Sequence, residues 1–146
     1  MGQKSEWDRK AKTISLSQST YIEKILKRFN LQEAKTISIP VDPNAKLNKD
    51  HCAITEKQKD RMKNMPYRQA VGSLMWAAIA TRPDIAFAVS LLSQFMEYPG
   101  EVHWEAIKRV LRYLKGMKNN KLIIGKIKSG LIGYSDADWA SQEIGI

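Results

Sequence analysis

Two acidic side chains lie close together near the end of the sequence. Asp136 and Asp138 lie two residues apart in the segment GYSDADWAS, so in a β-strand they would share one face. Carboxylate oxygens are the ligands that Mg²⁺ prefers, but an octahedral site needs more of them than one or two residues supply. The residues alone therefore supply no complete metal site, and the alternative interpretation is a pair of carboxylates at a turn or strand edge.

Other residue types that support catalysis or metal binding occur without the partners that such chemistry needs. His51 and Cys52 are adjacent but have no CxxC or HxxxH spacing around them, so they do not form a zinc site. His103 stands at a predicted helix start, where we expect it to cap or to pack. No Gly-rich phosphate loop and no Ser-His-Asp spacing occurs in the sequence. The residues therefore offer no catalytic constellation of their own.

A candidate binding surface is predicted on a helix that begins at Tyr67. Apolar residues recur at helical spacing and predict a buried face made of Val71, Leu74, Met75, Ala78 and Ile79. The positions that fall off this face are Gln69, Gly72, Ser73 and Trp76. Glycine inside a helix costs about 1 kcal/mol relative to alanine, and an exposed tryptophan is uncommon unless something covers it. Two interpretations stay open, which are a close helix–helix contact and the approach of nucleic acid.

The charge of the chain favours a polyanionic partner. Its formal net charge is +9 over 146 residues, and nucleic acid is the first candidate partner for so basic a chain. The segment 101–128 carries eight Lys or Arg against two acidic residues. A helix predicted from about Val102 to Lys115 has a basic face made of Lys108, Arg109, Arg112 and Lys115. We expect this face to contact phosphates, the alternative being an ordinary solvated surface.

The elements that would position these residues form an α+β fold that is mainly helical, with a β-hairpin at each end. Strands are predicted over 2–8 and 13–17, and again over 121–127 and 131–139. Between the hairpins, the helix-boundary signals are Thr20 with Glu23, Thr55 with Gln58, Asn30, Pro83 and Gly116. No signal peptide or membrane-spanning run is visible, and Cys52 is the single cysteine. These features predict an intracellular protein, in cytoplasm or nucleus, with no membrane partner.

Four blocks of the sequence carry a family resemblance. They are ISLSQSTYIEKILKRFNL (14–31), YRQAVGSLMWAAIATRPDIAFAVSLLSQF (67–95), HWEAIKRVLRYLKG (103–116) and GYSDADWAS (133–141). In this order they resemble the Pol polyprotein of copia-type LTR retrotransposons, downstream of the reverse transcriptase active site. The resemblance implies the end of a palm and primer-grip hairpin over 1–18, reverse transcriptase thumb and connection helices over 19–120, and the truncated start of a ribonuclease H-like domain over 121–146.

The resemblance also implies a role for the helix that begins at Tyr67. The family motif V-G-x-L-x-W-A, here residues 71–77, belongs to a thumb helix that lies in the minor groove of the template-primer duplex. Gly72 and Trp76 would contact the duplex with Gln69 and Ser73 beside them, although Ser73 stands where a retroviral enzyme has lysine. Such contacts report duplex shape and not base sequence. The implied partners are an RNA–DNA or DNA duplex and the rest of the Pol polyprotein.

The catalytic groups of the parent family are almost entirely missing from the sequence. The resemblance places Asp136 at the first catalytic aspartate of ribonuclease H, which helps to bind Mg²⁺ in the complete parent enzyme. The other carboxylates of that site are expected beyond Ile146, and no Tyr-x-Asp-Asp polymerase motif occurs in the chain. We therefore expect a reverse transcriptase segment that holds template-primer, with no cofactor and no catalysis of its own. The alternatives are a decayed transposon remnant without function and a domesticated module that binds nucleic acid or protein.

Overall fold

In the part of the chain that the structure describes, the fold is α+β, as predicted, with five α-helices and a three-stranded sheet. A computed structural model describes residues 2–45, 47–125, 133 and 135. Its elements in chain order are β1 (Lys4–Asp8), β2 (Thr13–Ser17), α1 (Ser19–Arg28), a 3₁₀ turn (Lys49–His51), α2 (Glu56–Met62), α3 (Tyr67–Ala80), a 3₁₀ turn (Pro83–Ile85), α4 (Ala86–Ser93), α5 (Glu101–Gly116) and β3 (Leu122–Gly125).

The sheet joins the two ends of the described chain. β1 and β2 form the predicted N-terminal hairpin, and β3 pairs antiparallel with β2, so the strand order is β1-β2-β3. The expected partner of β3 was the segment 131–139, which lies outside the described residues except for 133 and 135. Trp7, Ile14 and Ile124 are paired across the three strands. Segments that the resemblance assigns to the palm hairpin and to ribonuclease H therefore share one sheet.

The helices enclose one hydrophobic core. α1, α4 and α5 each bury an apolar side, and the fully buried side chains include Ile22, Ile85, Leu92, Ile107 and Leu111. Burying one such side chain stabilises the fold by roughly 1.5–3 kcal/mol. α3 packs against both α4 and α5 through its buried side. The opposite side of α3 is therefore the side that remains for solvent.

The buried face of α3 differs in part from the predicted one. Met75 and Ile79 are 39% and 74% exposed, so their assignment to the core was wrong, whereas Val71, Leu74 and Ala78 are buried as predicted. Their places are taken by Tyr67, Ala70 and Ala77. The hydroxyl of Tyr67 donates to the carbonyl of Leu92 at 2.8 Å. Small alanines let neighbouring helices approach α3 closely, and a pattern weighted by side-chain hydrophobicity favours the larger Met and Ile instead.

The helix boundaries confirm some of the predicted signals and correct others. The Thr55–Gln58 capping box is present at the start of α2, with the Gln58 backbone N–H donating to Thr55 Oγ1 at 3.3 Å. Thr20 is not a cap, because α1 begins one residue earlier and Gln18 is its N-cap residue. Asn30 follows the end of α1 with φ 56°, as a stop signal should. Gly116 is the last residue of α5, and the cap position belongs to Met117.

A buried arginine ties the break between α3 and α4 to the end of α5. Arg82 is 2% exposed, and its guanidinium makes two hydrogen bonds to the carboxylate of Asp84, at 3.0 and 2.6 Å. Its third donor reaches the carbonyl of Met117 at 2.9 Å. Burial acts to raise the pKa of Asp84, but hydrogen bonds from Arg82 and Tyr113 outweigh it and hold that pKa below its usual value. Asp84 is thus kept ionised as the counter-charge of Arg82.

His103 is a fully buried packing and capping residue, as its position predicted. Its Nδ1 accepts the backbone N–H of Gly100 at 2.9 Å, and its ring stacks on Phe95 with 4.0 Å between centroids. Its Nε2 lies 3.2 Å from the carbonyl of Asn48, an arrangement that requires a proton on Nε2 and none on Nδ1. Burial lowers the pKa of His103. The hydrogen bond to the Asn48 carbonyl acts to raise this pKa, and the nearby ring of His51 acts to lower it.

Replacing Arg82 should destabilise the fold strongly. Arg82→Gln leaves the carboxylate of Asp84 and the carbonyl of Met117 without their charged donor, and we expect a loss of ~3 kcal/mol in the free energy of unfolding. Tyr113→Phe removes one hydrogen bond from the same cluster and should cost ~1 kcal/mol. Urea unfolding of both variants tests this. Equal losses in the two variants would contradict a special role for Arg82.

Stability should fall as His103 becomes protonated. Because its folded pKa lies below the usual 6.5, the unfolded chain binds the proton first, and stability is full above 6.5 and declines as pH falls toward the folded pKa. The free energy of unfolding, measured between neutral pH and the onset of carboxylate titration, shows this decline. His51→Asn should retain most of this decline, since burial is the largest cause of the lowered His103 pKa, and His103→Phe should abolish it. A pH dependence that follows His51 instead would refute the assignment.

Candidate nucleic-acid interface

Gly72 lies at the centre of the solvent face of α3. At about 100° per residue, Arg68 and Gln69 flank it one turn earlier, and Met75 and Trp76 flank it one turn later. All four flanking residues and Gly72 itself are exposed. Apart from its chain neighbours and the backbone of α3 itself, a Cβ added at Gly72 would meet no atom of the described chain within 4 Å. The proposed helix–helix contact is therefore not made by any described part of the chain.

Trp76 is held in one orientation by a buried glutamine. Trp76 is 39% exposed, and its Nε1 lies 3.2 Å from the side-chain amide of Gln18, which is itself 1% exposed and accepts the indole N–H when its oxygen faces the ring. In the amide orientation that makes this bond, the Gln18 nitrogen donates to the Ala77 carbonyl at 3.2 Å and to Thr81 Oγ1 at 2.6 Å. Gln18 thus fixes an exposed aromatic surface from beneath. Sequence analysis missed Gln18, because 58 residues separate it from Trp76.

One edge of the solvent face of α3 is formed together with α1. The hydroxyl of Tyr21 donates to the Ser73 carbonyl at 3.0 Å, and Arg28 donates from NH2 to Gln69 Oε1 at 3.0 Å. Ser73 Oγ donates to the carbonyl of Gln69 at 2.8 Å, so Gln69 and Ser73 form one connected edge. Burial raises the pKa of Tyr21, although its bond to Ser73 and the charge of Arg28 act in the opposite direction. Tyr21 therefore remains a hydrogen-bond donor at neutral pH.

Arg68 forms the other edge of this face. Its Nε donates to the carbonyl of Met96 at 3.1 Å, just beyond the end of α4. The spacing of one helical turn between Arg68 and Gly72 was visible in the sequence, but sequence analysis did not use it. Arg28 offered no such signal, because its contact with Gln69 spans 41 residues. The candidate interface is thus the glycine-centred face of α3 with an arginine at each edge.

The predicted basic face of α5 is present, but its side chains are engaged by the protein. Lys108 pairs with Glu105, and Arg109 lies 3.6 Å from a carboxylate oxygen of Asp42. Two hydrogen bonds attach α5 to the segment that follows α1, which is called the connector here. Arg112 Nε donates to the Lys35 carbonyl at 2.6 Å, and Lys115 Nζ donates to the Ala34 carbonyl at 2.9 Å. This face therefore fastens the connector to α5. Its contact with phosphates stays a prediction.

The predicted magnesium ligand does not form part of the described structure. Asp136 and its neighbour Asp138 lie outside the described residues. Within residues 2–45 and 47–125, His, Cys, Asp and Glu nowhere gather in a group of three or more that could hold a metal ion. The role of Asp136 stays a prediction. Among the helices described, none has the length and apolar character needed to cross a bilayer.

Relatives of the chain include transposon polyproteins. It is 46% identical over 142 residues to the retrovirus-related Pol polyprotein from transposon TNT 1-94 of Nicotiana tabacum, covering 97% of the chain and 11% of that protein. It is 42% identical over 132 residues to the retrovirus-related Pol polyprotein from transposon RE1 of Arabidopsis thaliana, covering 89% and 8%. It is also 51% identical over 82 residues to the secreted RxLR effector protein 161 of Plasmopara viticola, covering 56% and 58%.

The chain thus spans about a tenth of the length of these two Pol polyproteins. No protein-family model and no solved structure matches it.

Filling the open position at residue 72 should stabilise the fold. Gly72→Ala adds a Cβ where the described chain leaves space and removes the helix cost of glycine, so we expect a gain of ~0.5–1 kcal/mol in the free energy of unfolding. Gly100→Ala is the matched control, because its Cβ would overlap the His51 carbonyl oxygen and must destabilise the fold. Urea unfolding compares the two. A loss of stability in Gly72→Ala would show that Gly72 serves packing within the chain.

Proposed function

Because the chain is homologous to a segment of the retrovirus-related Pol polyproteins of copia-type transposons, we propose that it holds a template-primer duplex on the solvent face of α3. The duplex is RNA–DNA or DNA, and it is bound by shape and charge without sequence specificity. The segment supplies no catalytic group, and the rest of the polyprotein carries the polymerase and nuclease chemistry. The open position at Gly72 is the observation that carries this proposal.

Gly72 supports close approach of a large ligand to the helix backbone. A glycine at the centre of an exposed helix face costs about 1 kcal/mol, and no described contact offsets that cost. Without a Cβ, the backbone of α3 at this point is accessible to the floor of a groove. Trp76 stands one turn further along, with its ring already oriented by Gln18. A duplex that binds at Gly72 would contact the Trp76 ring, and little conformational entropy would be lost because that ring is already oriented.

The dimensions of a helix favour one form of duplex. An α-helix with its side chains is about 10–12 Å across, whereas the minor groove of B-form DNA is about 6 Å wide. A-form helices have a wide and shallow minor groove that exposes sugars and base edges. The face of α3 therefore fits an A-form-like hybrid better than B-form DNA. Such contacts depend on the shape of the duplex and not on its base sequence. The net charge of +9 makes the affinity depend on salt concentration.

A second candidate function is the binding of a protein. Met75 and Ile79 are 39% and 74% exposed on the same face as Trp76, and exposed apolar side chains grouped in this way are typical of a protein contact. This function would give affinity that is insensitive to salt, because apolar burial and not phosphate neutralisation would drive it. The salt dependence of binding therefore separates the two candidates.

Duplex binding should depend on Trp76 and on the absence of a side chain at residue 72. By fluorescence anisotropy with a labelled RNA–DNA hybrid at low salt, we expect Trp76→Ala to weaken binding about tenfold, since loss of aromatic stacking costs about 1–3 kcal/mol. Gly72→Leu should weaken it at least as much, because its side chain blocks the approach. Trp7→Ala is the matched control, since Trp7 is 66% exposed but lies on β1.

Two results would overturn the proposed function. One is the absence of hybrid binding by the wild-type chain at low salt. The other is an equal loss of affinity in Trp7→Ala and Trp76→Ala. That result would mean that the duplex does not bind preferentially at the solvent face of α3. Preference for the hybrid over B-form DNA of the same length supports the geometric argument. Thermal unfolding monitored by circular dichroism verifies that each variant is folded.

A further inference from the structure

One side of α1 runs beside the candidate interface and carries two cations. Tyr21, Lys24 and Arg28 recur at i, i+3 and i+7, so they share one side of the helix. Tyr21 is bonded to the Ser73 carbonyl, and Arg28 is bonded to the Gln69 side chain. This side of α1 is therefore placed along the Gln69–Ser73 edge of α3, and exposed Lys24 lies between the two contacts.

The guanidinium of Arg28 is positioned but not neutralised. Its NH2 donates to the neutral amide of Gln69, and its central carbon lies 5.7 Å from the centroid of the Phe29 ring. Neither contact brings a negative charge. Within residues 2–45 and 47–125, neither Lys24 nor Arg28 takes part in a salt bridge. The remaining N–H donors of the Arg28 guanidinium have the geometry to bind two oxygens of a phosphate group.

The cations of α5 differ in this respect. Lys108 and Arg109 have acidic partners, and Arg112 and Lys115 donate to carbonyls of the connector. Binding of phosphate at these side chains would have to replace contacts that already exist. At Lys24 and Arg28 a phosphate would add charge-assisted contacts at little cost. The side of α1 therefore offers cations that are freer to bind phosphate than those of α5.

We infer that Arg28, with Lys24 one turn before it, binds the phosphodiester backbone of one strand of the duplex whose minor groove lies on α3. This rests on the proposed function and adds a second element to it. In a duplex, the phosphates of a strand border the groove that the helix occupies, so a cation beside the helix meets them. The contact is electrostatic and independent of base sequence.

The salt dependence of hybrid binding measures this contact directly. The slope of log binding constant against log salt falls by about one for each phosphate contact that is lost. We expect Lys24→Gln/Arg28→Gln to reduce the slope by about two, and Arg28→Gln alone by about one. The control is Lys27→Gln/Lys57→Gln, which removes the same charge from exposed positions. Lys27 shares the last turn of α1 with Arg28, so any effect on the helix dipole is matched.

The outcomes separate this inference from the proposed function. A larger slope change in the Lys24/Arg28 variant than in the control supports it, and retention of the wild-type slope by Arg28→Lys supports a charge contact. Equal slopes in the variant and the control overturn it, while losses in Gly72→Leu and Trp76→Ala would leave the proposed function standing. If the Lys24/Arg28 variant shows the same slope change with single-stranded RNA, the two cations do not bind phosphates beside a duplex groove, and the inference is overturned. If the wild-type chain does not bind the hybrid, both fail.

Discussion

The arrangement of the helices depends on the ion pair between Arg82 and Asp84. A guanidinium that is 2% exposed costs several kcal/mol unless its charge and donors are satisfied, and here the carboxylate and the Met117 carbonyl satisfy them. Pro83 lies between the two and starts the short 3₁₀ turn that brings Asp84 back onto Arg82. Tyr113 donates to the same carboxylate at 2.8 Å. The break after α3 is thereby attached to α5 and to the residue that follows it.

A second buried polar group connects this break to the candidate interface. The carbonyl of Ala77 accepts the backbone N–H groups of Thr81 and Arg82, at 3.1 and 2.9 Å, where α3 ends. Gln18 donates to the same carbonyl and to the Thr81 side chain, and it accepts the indole N–H of Trp76. The orientation of an exposed ring is therefore determined by the way the helix terminates beneath it. Gln18 directly follows β2, so the sheet is attached at the same point.

The local features of this fold could be predicted from sequence, and most of the long-range ones could not. The N-terminal hairpin and the Thr55 cap depend on neighbouring residues, and each was predicted. The solvent positions of Gln69, Gly72 and Trp76 were also predicted, although Met75 and Ile79 were assigned to the wrong side. The role of Gln18 rests on its contact with Trp76 across 58 residues, and that of Arg28 on its contact with Gln69 across 41 residues, and one sequence carries no local signal for either. The pairing of β3 with β2 is equally non-local.

The choice of small residues along α3 distinguishes packing from recognition. Where neighbouring helices approach, the chain has Ala70, Ala77 and Ala78, which are buried and keep the helix propensity of alanine. At residue 72 the space is open and alanine would fit, yet the residue is glycine. Folding within the described chain does not explain that choice, because it would favour alanine. The proposed duplex groove would account for the glycine, because such a surface would have to approach the helix backbone more closely than a methyl group allows.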